Sequence, residues 1–282
     1  MMIDDTEVLT SMFWKDFWGL MKGKSLLART QQSNPADWLR FYEEVNDIWL
    51  KMRGSSWEFG EQVLSILQNR KVLQEDPSIL DLGCGSGLLS IPFARYGARV
   101  TSLDNSPAMI GRLEKYAEEH HLHTIKTETI SWNQYLPEKK FDLVIAAFFP
   151  AAFSPEGMKR MEIFSNGRCA LVFSTGKEVF PLRKILWAEI VQDPLPDRSH
   201  LLPCAFNFLY SLGRRPNCVH FSWKENLDIT LEDAQRFYTS YFKIFGYSGT
   251  TTSAVIKKNI KSFIQEGRIK FNGTEEAALL WW

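Results

Sequence analysis

The sequence predicts an α/β fold in which a mostly parallel β-sheet carries helices on both faces. Between about residues 76 and 176, short apolar runs alternate with helical patterns, which is typical of consecutive β-α-β units. One run, 141–148, is predominantly apolar, as expected for a strand covered on both faces. With 282 residues, 45% of them hydrophobic, the chain is long enough to bury a substantial core.

Turn and capping residues separate the elements of this region. Helices are predicted at about 88–96, ended by Gly97, and from Pro107 onward, with Ser106 as the N-cap. Five strands are predicted, at 78–82, 99–103, 124–129, 141–148 and 169–174. The sheet is therefore expected to form from this part of the chain.

Long additions flank the predicted sheet on both sides. Residues 1–75 are predicted to form a helical addition or lid, because Phe13, Phe17 and Leu20 recur at helical spacing. The remainder, 76–282, is predicted as one domain with a helical insertion at about 193–265. Outside the region described above, helices are expected at about 181–192, 230–245 and 253–265, and strands at 219–223 and 277–282. The sequence favours one elaborated domain over two independent ones.

Charge and cysteine content narrow the classes of partner. The 33 basic residues balance 33 acidic residues, which argues against a nucleic-acid or anionic-membrane binder that relies on clustered cations. The chain begins with acidic residues and shows no signal peptide, so we expect a cytoplasmic protein without a membrane anchor. The scattered cysteines are expected as reduced thiols, and no metal site is predicted.

A glycine-rich turn is the most informative segment. It reads Asp81-Leu-Gly-Cys-Gly-Ser-Gly87, directly after a predicted strand and before a helix. Alternate glycines let the backbone turn sharply and approach a ligand, and the following helix offers free N–H groups. Asp104, 23 positions after Asp81, ends the next predicted strand, where a carboxylate can bind a ribose diol. A nucleoside cofactor is therefore predicted.

Two kinds of nucleoside cofactor could fit such a loop, a dinucleotide and S-adenosylmethionine, and the spacing of the glycines discriminates between them. A dinucleotide fingerprint needs its third glycine where this chain has Leu88. The pattern acidic-x-Gly-x-Gly-x-Gly resembles instead the first motif of the class I S-adenosylmethionine (SAM)-dependent methyltransferases. The segments 104–107 and 141–146 resemble the second motif and fourth strand of that family. Segments 158–161 and 165–169 resemble an uncharacterised small-molecule branch of it.

The resemblance implies a Rossmann-like, seven-stranded, mostly parallel sheet, with SAM as the cofactor. The glycines would admit the methionine part and the ribose of SAM, Asp81 would lie near the methionyl amino group, and Asp104 would bind the ribose hydroxyls. Asn105 and Met109 would lie beside the adenine, and Ser131 and Trp132 at its edge, where many relatives carry an acidic residue. The complete cofactor-binding set comprises Asp81, Gly83, Cys84, Gly85, Gly87, Asp104, Asn105, Met109, Ser131, Trp132 and Ala147.

The predicted reaction is methyl transfer to a small-molecule acceptor by in-line displacement, which depends on proximity and orientation. The sequence identifies no general base, so no catalytic residue is assigned. Phe148 and Phe149, directly after the fourth strand, and Trp38 in the N-terminal addition are the predicted acceptor contacts. The alternatives are a non-catalytic SAM-binding or regulatory module, a protein or RNA methyltransferase and, with less support, an NAD-dependent oxidoreductase. The acceptor, the methylated atom and the oligomeric state stay open.

Overall fold

The computed structural model describes residues 10–52, 57–176, 180–193, 195–196 and 198–282. Its helices are α1 (Ser11–Lys24), α2 (Leu26–Ser33), α3 (Pro35–Met52), α4 (Glu58–Asn69), α5 (Ser90–Arg95), α6 (Pro107–Glu119), α7 (Pro155–Phe164), α8 (Leu182–Ile190), α9 (Leu201–Ser211), α10 (Leu231–Lys243) and α11 (Thr250–Ile260). Its strands are β1 (Ser78–Leu82), β2 (Arg99–Asp104), β3 (Ile125–Thr129), β4 (Leu143–Ala147), β5 (Cys169–Ser174), β6 (Asn217–Ile229), β7 (Ile264–Gln265) and β8 (Arg268–Trp281).

The strands form one mixed sheet in the order β3-β2-β1-β4-β5-β8-β6, and the two-residue β7 pairs with β8. Strands β1 to β5 are parallel, whereas β8 is antiparallel to both β5 and β6. The predicted α/β fold with a mostly parallel sheet is confirmed. The chain runs outward from β1 to β3 and returns to β4 on the other side of β1. The strand order therefore reverses between β1 and β4, and open α/β sheets generally bind ligands at such a point, outside the carboxyl ends of the strands.

Both faces of the sheet are buried, as the apolar strands predict. In β1, Leu80 and Leu82 belong to one core cluster, whereas Ile79 belongs to the cluster on the opposite face. The first cluster also contains Trp18 of α1 and Phe208 of α9. Two covered faces hold the carboxyl ends of the parallel strands rigidly at one edge of the sheet.

A third hydrophobic cluster joins the N-terminal and C-terminal additions. Strands β6 and β8 pair over thirteen residues, but only the last part of β8, from Ala277 to Trp281, pairs with β5. The rest of this antiparallel strand pair extends past β5. Residues of the pair pack there with α3, α8, α10 and α11 in a cluster rich in aromatic side chains. As a result, α3 is held between this helical unit and α6.

Several predicted elements need correction. The stretch from about 193 to 265 is not wholly helical, because it contains the long strand β6 as well as α9, α10 and α11. The helix predicted to reach residue 265 ends at Ile260, and a 3-10 turn and β7 follow. Strand β4 covers only Leu143–Ala147 of the predicted 141–148. The parts of the helical prediction at 1–9 and 53–56 lie outside the described residues.

Candidate functional site

The glycine loop follows β1 and is anchored to the end of β2. The backbone N–H groups of Gly83 and Cys84 both donate to the carbonyl of Leu103, at 2.8 and 3.1 Å. Gly83, Gly85 and Gly87 have φ angles of 68°, 53° and 97°, which L-residues with side chains rarely adopt. Glycine at these positions therefore lets the loop turn without strain.

The three glycines have different surroundings. A Cβ atom at Gly83 would lie 2.4 Å from Cδ2 of Phe149, and one at Gly87 would lie 2.5 Å from Cδ1 of Leu113. A Cβ atom at Gly85 would meet no heavy atom within 4 Å. Gly83 and Gly87 thus permit close packing inside the protein, whereas Gly85 borders open space that a ligand can fill.

The carboxylate of Asp104 lies at this open space. Its Oδ2 atom accepts a hydrogen bond from the Gly85 N–H, and its Oδ1 atom accepts one from the Ser106 N–H, both at 2.9 Å. These two bonds fix the orientation of the carboxylate and leave further lone pairs for ligand hydroxyl groups. Burial raises the pKa of Asp104, and the hydrogen bonds from Ser106 and Gly85 oppose that rise.

Asp81 is a second carboxylate beneath the loop, with only 2% of its surface exposed. Its Oδ2 atom accepts a hydrogen bond from Ser90 Oγ at 2.6 Å, and Ser102 Oγ donates to Ser90 Oγ at 2.7 Å. Burial raises the pKa of Asp81 to about 7, the Ser90 hydrogen bond lowers it and the charge of Asp104 raises it further. Among the described residues, neither carboxylate has a salt bridge, so a bound cation would stabilise both ionised forms.

The residues after β4 point to opposite faces of the sheet. Phe148 has a φ angle of 52°, a strained value for a bulky residue, and its ring packs 5.2 Å from that of Phe59. The ring of Phe149 lies on the other side, against Gly83 and perpendicular to Trp132 at 6.2 Å. Of the two predicted acceptor contacts that follow β4, Phe149 therefore adjoins the glycine loop, whereas Phe148 adjoins α4.

Trp132 is a buried wall behind Phe149. It is 6% exposed, and its ring lies 6.1 Å from that of Phe164. The guanidinium of Arg160 lies 5.1 Å from the Trp132 ring and donates to the Trp132 carbonyl at 3.1 Å. The structure thus places the Trp132 side chain in the core, while the half-buried Ser131 precedes it after β3. The adenine-edge roles of these two residues stay predictions.

The other predicted residues are distributed unevenly around the loop. Asn105 is exposed next to Asp104, and Met109 is buried in the first turn of α6. Burial raises the pKa of the Cys84 thiol well above its usual range, so this side chain is a neutral thiol. Ala147 is half-buried at the end of β4. These positions are compatible with the predicted set without assigning a contact to each member.

Trp38 is not brought to the glycine loop. Its ring packs with Tyr241 at 6.3 Å and with Phe245 at 6.0 Å in the aromatic cluster between α3 and α10. The Nε1 atom of Trp38 is buried there and has no hydrogen-bond partner among the described residues. Its predicted contact with an acceptor stays a prediction.

Glu43 is a site residue that was not predicted from the sequence; it lies on α3, 38 positions before Asp81. Its Oε1 atom accepts hydrogen bonds from Ser106 Oγ at 2.6 Å and from the Ala108 N–H at 3.4 Å. No motif or spacing in the sequence links this glutamate to the loop. The contact arises only because α3 packs on α6.

The arrangement can bind a nucleoside that carries positive charge. Open space at Gly85 is bordered by the oriented carboxylate of Asp104. A second carboxylate, Asp81, is buried at the end of β1, and the ring of Phe149 lies against Gly83 in the same loop. Among the described residues, no three His, Cys, Asp or Glu side chains are grouped as a metal ion would require. Nor does any helix in the described ranges have the length and apolar character needed to cross a membrane.

Comparisons with known proteins find similar sequences for the sheet region of the chain. A family model described as a methyltransferase domain matches residues 79–163. The ubiquinone biosynthesis O-methyltransferase of Bradyrhizobium sp. strain ORS 278 is 34% identical over 98 residues, 35% of this chain and 36% of that protein. The enzyme of the same name from Methylobacterium sp. strain 4-46 is 41% identical over 70 residues, 24% of this chain and 28% of that protein. The matches thus span about a third of these relatives.

Solved structures resemble the chain more loosely. The magnesium protoporphyrin IX methyltransferase from Synechocystis PCC 6803, solved with bound S-adenosylhomocysteine (SAH), has a TM-score of 0.48 at 17% identity. That similarity covers 88% of this chain and 94% of the other. Coclaurine N-methyltransferase, also solved with SAH, has a TM-score of 0.44 at 14% identity, over 79% of this chain and 70% of that one.

Proposed function

We propose that this chain, which belongs to the class I SAM-dependent methyltransferase family, transfers the methyl group of SAM to a small-molecule acceptor. One observation carries the proposal. Open space at Gly85 meets the oriented carboxylate of Asp104 at the carboxyl ends of the strands, where the strand order reverses. The matched methyltransferase domain, 79–163, includes both residues.

The residues around the loop fit the chemistry of SAM. The free lone pairs of Asp104 can accept hydrogen bonds from the two ribose hydroxyls. The carboxylates of Asp81 and Asp104 favour a ligand with a positively charged ammonium or sulfonium group, because Asp81 is buried, Asp104 is half-buried and neither has a salt bridge among the described residues. Asn105 and Met109 flank Asp104 on the side assigned to the adenine. The proposal retains the whole predicted cofactor-binding set.

SAM supplies a methyl group on a positively charged sulfur, which is activated for displacement. The protein then has to bind and orient SAM and the acceptor and to exclude water. Such positioning supplies much of the rate enhancement in reactions of this kind. Phe149 and Trp132 contribute an apolar wall at the glycine loop. We assign no general base.

The proposed acceptor is a small molecule with substantial apolar surface. Zero net charge and the aromatic residues beside the loop support this class over nucleic acid. The name of the O-methyltransferase relatives supports a hydroxyl oxygen as the methylated atom. The proposal further includes residues 1–75 as a lid and a cytoplasmic location, both of which rest on the sequence.

Calorimetric titration with SAH tests the cofactor part. The wild-type chain should bind SAH, and Asp104→Ala should weaken binding by about 2 kcal/mol, roughly thirtyfold, because charge-assisted hydrogen bonds are lost. Asp142→Asn is the matched control, since Asp142 bonds Ser78 where β1 and β4 begin, at the opposite edge of the sheet. Unchanged SAH affinity in Asp104→Ala would remove the ribose role, and stabilisation by NAD but not by SAM would favour an oxidoreductase.

Methyl transfer itself needs a second measurement. The chain should consume SAM and release SAH when it is incubated with a panel of apolar hydroxylated small molecules. Asp104→Ala should reduce this turnover in parallel with its loss of SAH affinity. SAH binding without turnover of any member of the panel would favour the non-catalytic, SAM-binding alternative.

A further inference from the structure

We propose that Glu43 is a positioning and specificity residue of the cofactor site, one that favours a ribose with free hydroxyls over a phosphorylated one. Its carboxylate holds Ser106 in place beside Asp104 and occupies the N-terminal end of α6. The inference rests on the proposed function, because it takes Asp104 as the ribose-binding group. It goes beyond that function by assigning a role to a residue of the N-terminal addition.

Ser106 connects the two carboxylates. Its hydroxyl donates to Glu43 Oε1 at 2.6 Å, while its backbone N–H donates to Asp104 Oδ1 at 2.9 Å. The same hydroxyl oxygen accepts the Met109 N–H at 3.3 Å, as an N-cap does. Ser106 is only 1% exposed, so these bonds are shielded from water. Glu43 therefore helps to fix the residue that orients one oxygen of Asp104.

Helix α3 is held on both sides, which fixes the position of Glu43. On the α6 side, Asn46 Oδ1 accepts a hydrogen bond from Arg112 Nε at 2.7 Å. On the α10 side, Glu44 Oε2 accepts one from Ser240 Oγ at 2.7 Å. Neighbouring glutamates on one helix thus face different partners: Glu43 faces the cofactor site, and Glu44 faces the C-terminal helical unit.

The electrostatic consequence is selection against phosphate. The N-terminal end of a helix ordinarily attracts an anion, because its free N–H groups and the helix dipole favour negative charge. In α6, Glu43 approaches the free N–H of Ala108, at 3.4 Å, and adds a negative charge beside Asp104. A phosphate group on the ribose would meet both carboxylates. The hydroxyls of an unphosphorylated ribose carry no negative charge and can donate hydrogen bonds to carboxylate oxygens at the same place.

Glu43→Gln and Glu43→Ala test the two halves of the proposal. Glutamine keeps an oxygen that can accept the Ser106 hydroxyl, but it removes the charge. Alanine removes both. Glu44→Ala is the matched control, because Glu44 has the same charge on the same helix and faces α10. Circular dichroism and thermal melting establish that each variant is folded.

The readouts are the dissociation constant of SAH and the competition of adenosine and adenosine 2′-monophosphate against SAH. We expect Glu43→Ala to weaken SAH binding about tenfold. We expect Glu43→Gln to stay within about threefold for SAH and to raise the affinity for adenosine 2′-monophosphate, relative to adenosine, about tenfold. Glu44→Ala should change neither quantity. A structural role alone would not move this selectivity ratio.

Two results would overturn the inference. Wild-type SAH affinity in folded Glu43→Ala would refute the positioning role, and an unchanged selectivity ratio in Glu43→Gln would refute the electrostatic role. Both results presuppose a wild-type chain that binds SAH. Failure of the wild-type chain to bind SAH would instead refute the proposed function, so the two failures are distinguishable.

Discussion

Replacing Asp81 by asparagine removes a buried negative charge while keeping an oxygen that can accept the Ser90 hydroxyl. The folded-state pKa of Asp81, about 7, lies above the ordinary aspartate value of 3.8, because burial disfavours the ionised form. Folding therefore becomes less favourable as the pH rises through this range, since the folded state holds a proton that the unfolded state releases. Without ligand, Asp81→Asn should be more stable than the wild-type chain above neutral pH.

The size of the effect follows from the two pKa values. At about 1.4 kcal/mol per pKa unit, the penalty grows from about 1.7 kcal/mol near pH 5 to about 4.3 kcal/mol near pH 8. The stability difference between Asp81→Asn and wild type should therefore widen by about 2.6 kcal/mol over this range. For a chain of this size, about 2 °C per kcal/mol converts this difference to about 5 °C in Tm.

Melting curves of the ligand-free proteins between about pH 5 and pH 8 measure the effect. Asp142→Asn is the control, because the hydrogen bonds from Ser78 lower the pKa of Asp142. Its contribution is present above the unfolded pKa and is lost only at lower pH, so its difference from wild type should be constant over this range. A constant Tm difference between Asp81→Asn and wild type would refute the buried-charge reasoning. SAH affinity should fall in Asp81→Asn, because the ligand ammonium loses a carboxylate.

Three further predictions concern the same loop and a distant helix. Ser90→Ala should raise the pKa of Asp81 further, because the Ser90 hydrogen bond lowers it. In the same melting series, the upper end of the pH range of destabilisation should therefore move upward, and an unchanged upper end would contradict this. Gly87→Ala should lower the free energy of unfolding by about 2 kcal/mol or more in urea denaturation, because its Cβ would overlap Leu113. Gly85→Ala should lower the free energy of unfolding by about 1 kcal/mol through backbone strain, and it should also weaken SAH binding. Equal stability losses in the two variants would contradict the different surroundings of the two glycines. Ser154→Ala should cost about 1 kcal/mol through loss of the α7 N-cap without changing SAH affinity, so a weakened SAH affinity would place α7 in the site.

The sequence predicted the cofactor half of the fold because its signals are local. The central parallel strands β4 and β5 are almost wholly apolar, as strands covered on both faces are, and the glycines that need positive φ angles are visible in the sequence. The carboxyl ends of parallel strands meet at one edge, so placing Asp104 at the end of the second strand also placed it beside the glycine loop. The Ser-Pro capping signal at 106–107 predicted the start of α6 correctly. The same Ser-Pro signal at 154–155 marks α7, which was overlooked.

The remaining parts depend on tertiary contacts that no local pattern encodes. Strand β6 alternates exposed and buried residues over thirteen positions, and its partner β8 lies nearly forty residues later, so its length could not be deduced from its own segment. Helix α9 carries Pro203 in its first turn, where proline is tolerated, and no separate helix was predicted for this segment within the insertion. Glu43 reaches Ser106 across 63 positions, and only the packing of α3 on α6 creates that bond.

A crystal structure of the chain grown with SAH would test the central claim most directly. We predict ligand density in the space beside Gly85, with both ribose hydroxyls bonded to Asp104. Clear density for SAH at another place, or a glycine loop closed by the ring of Phe149 with no ligand beside it, would contradict the account.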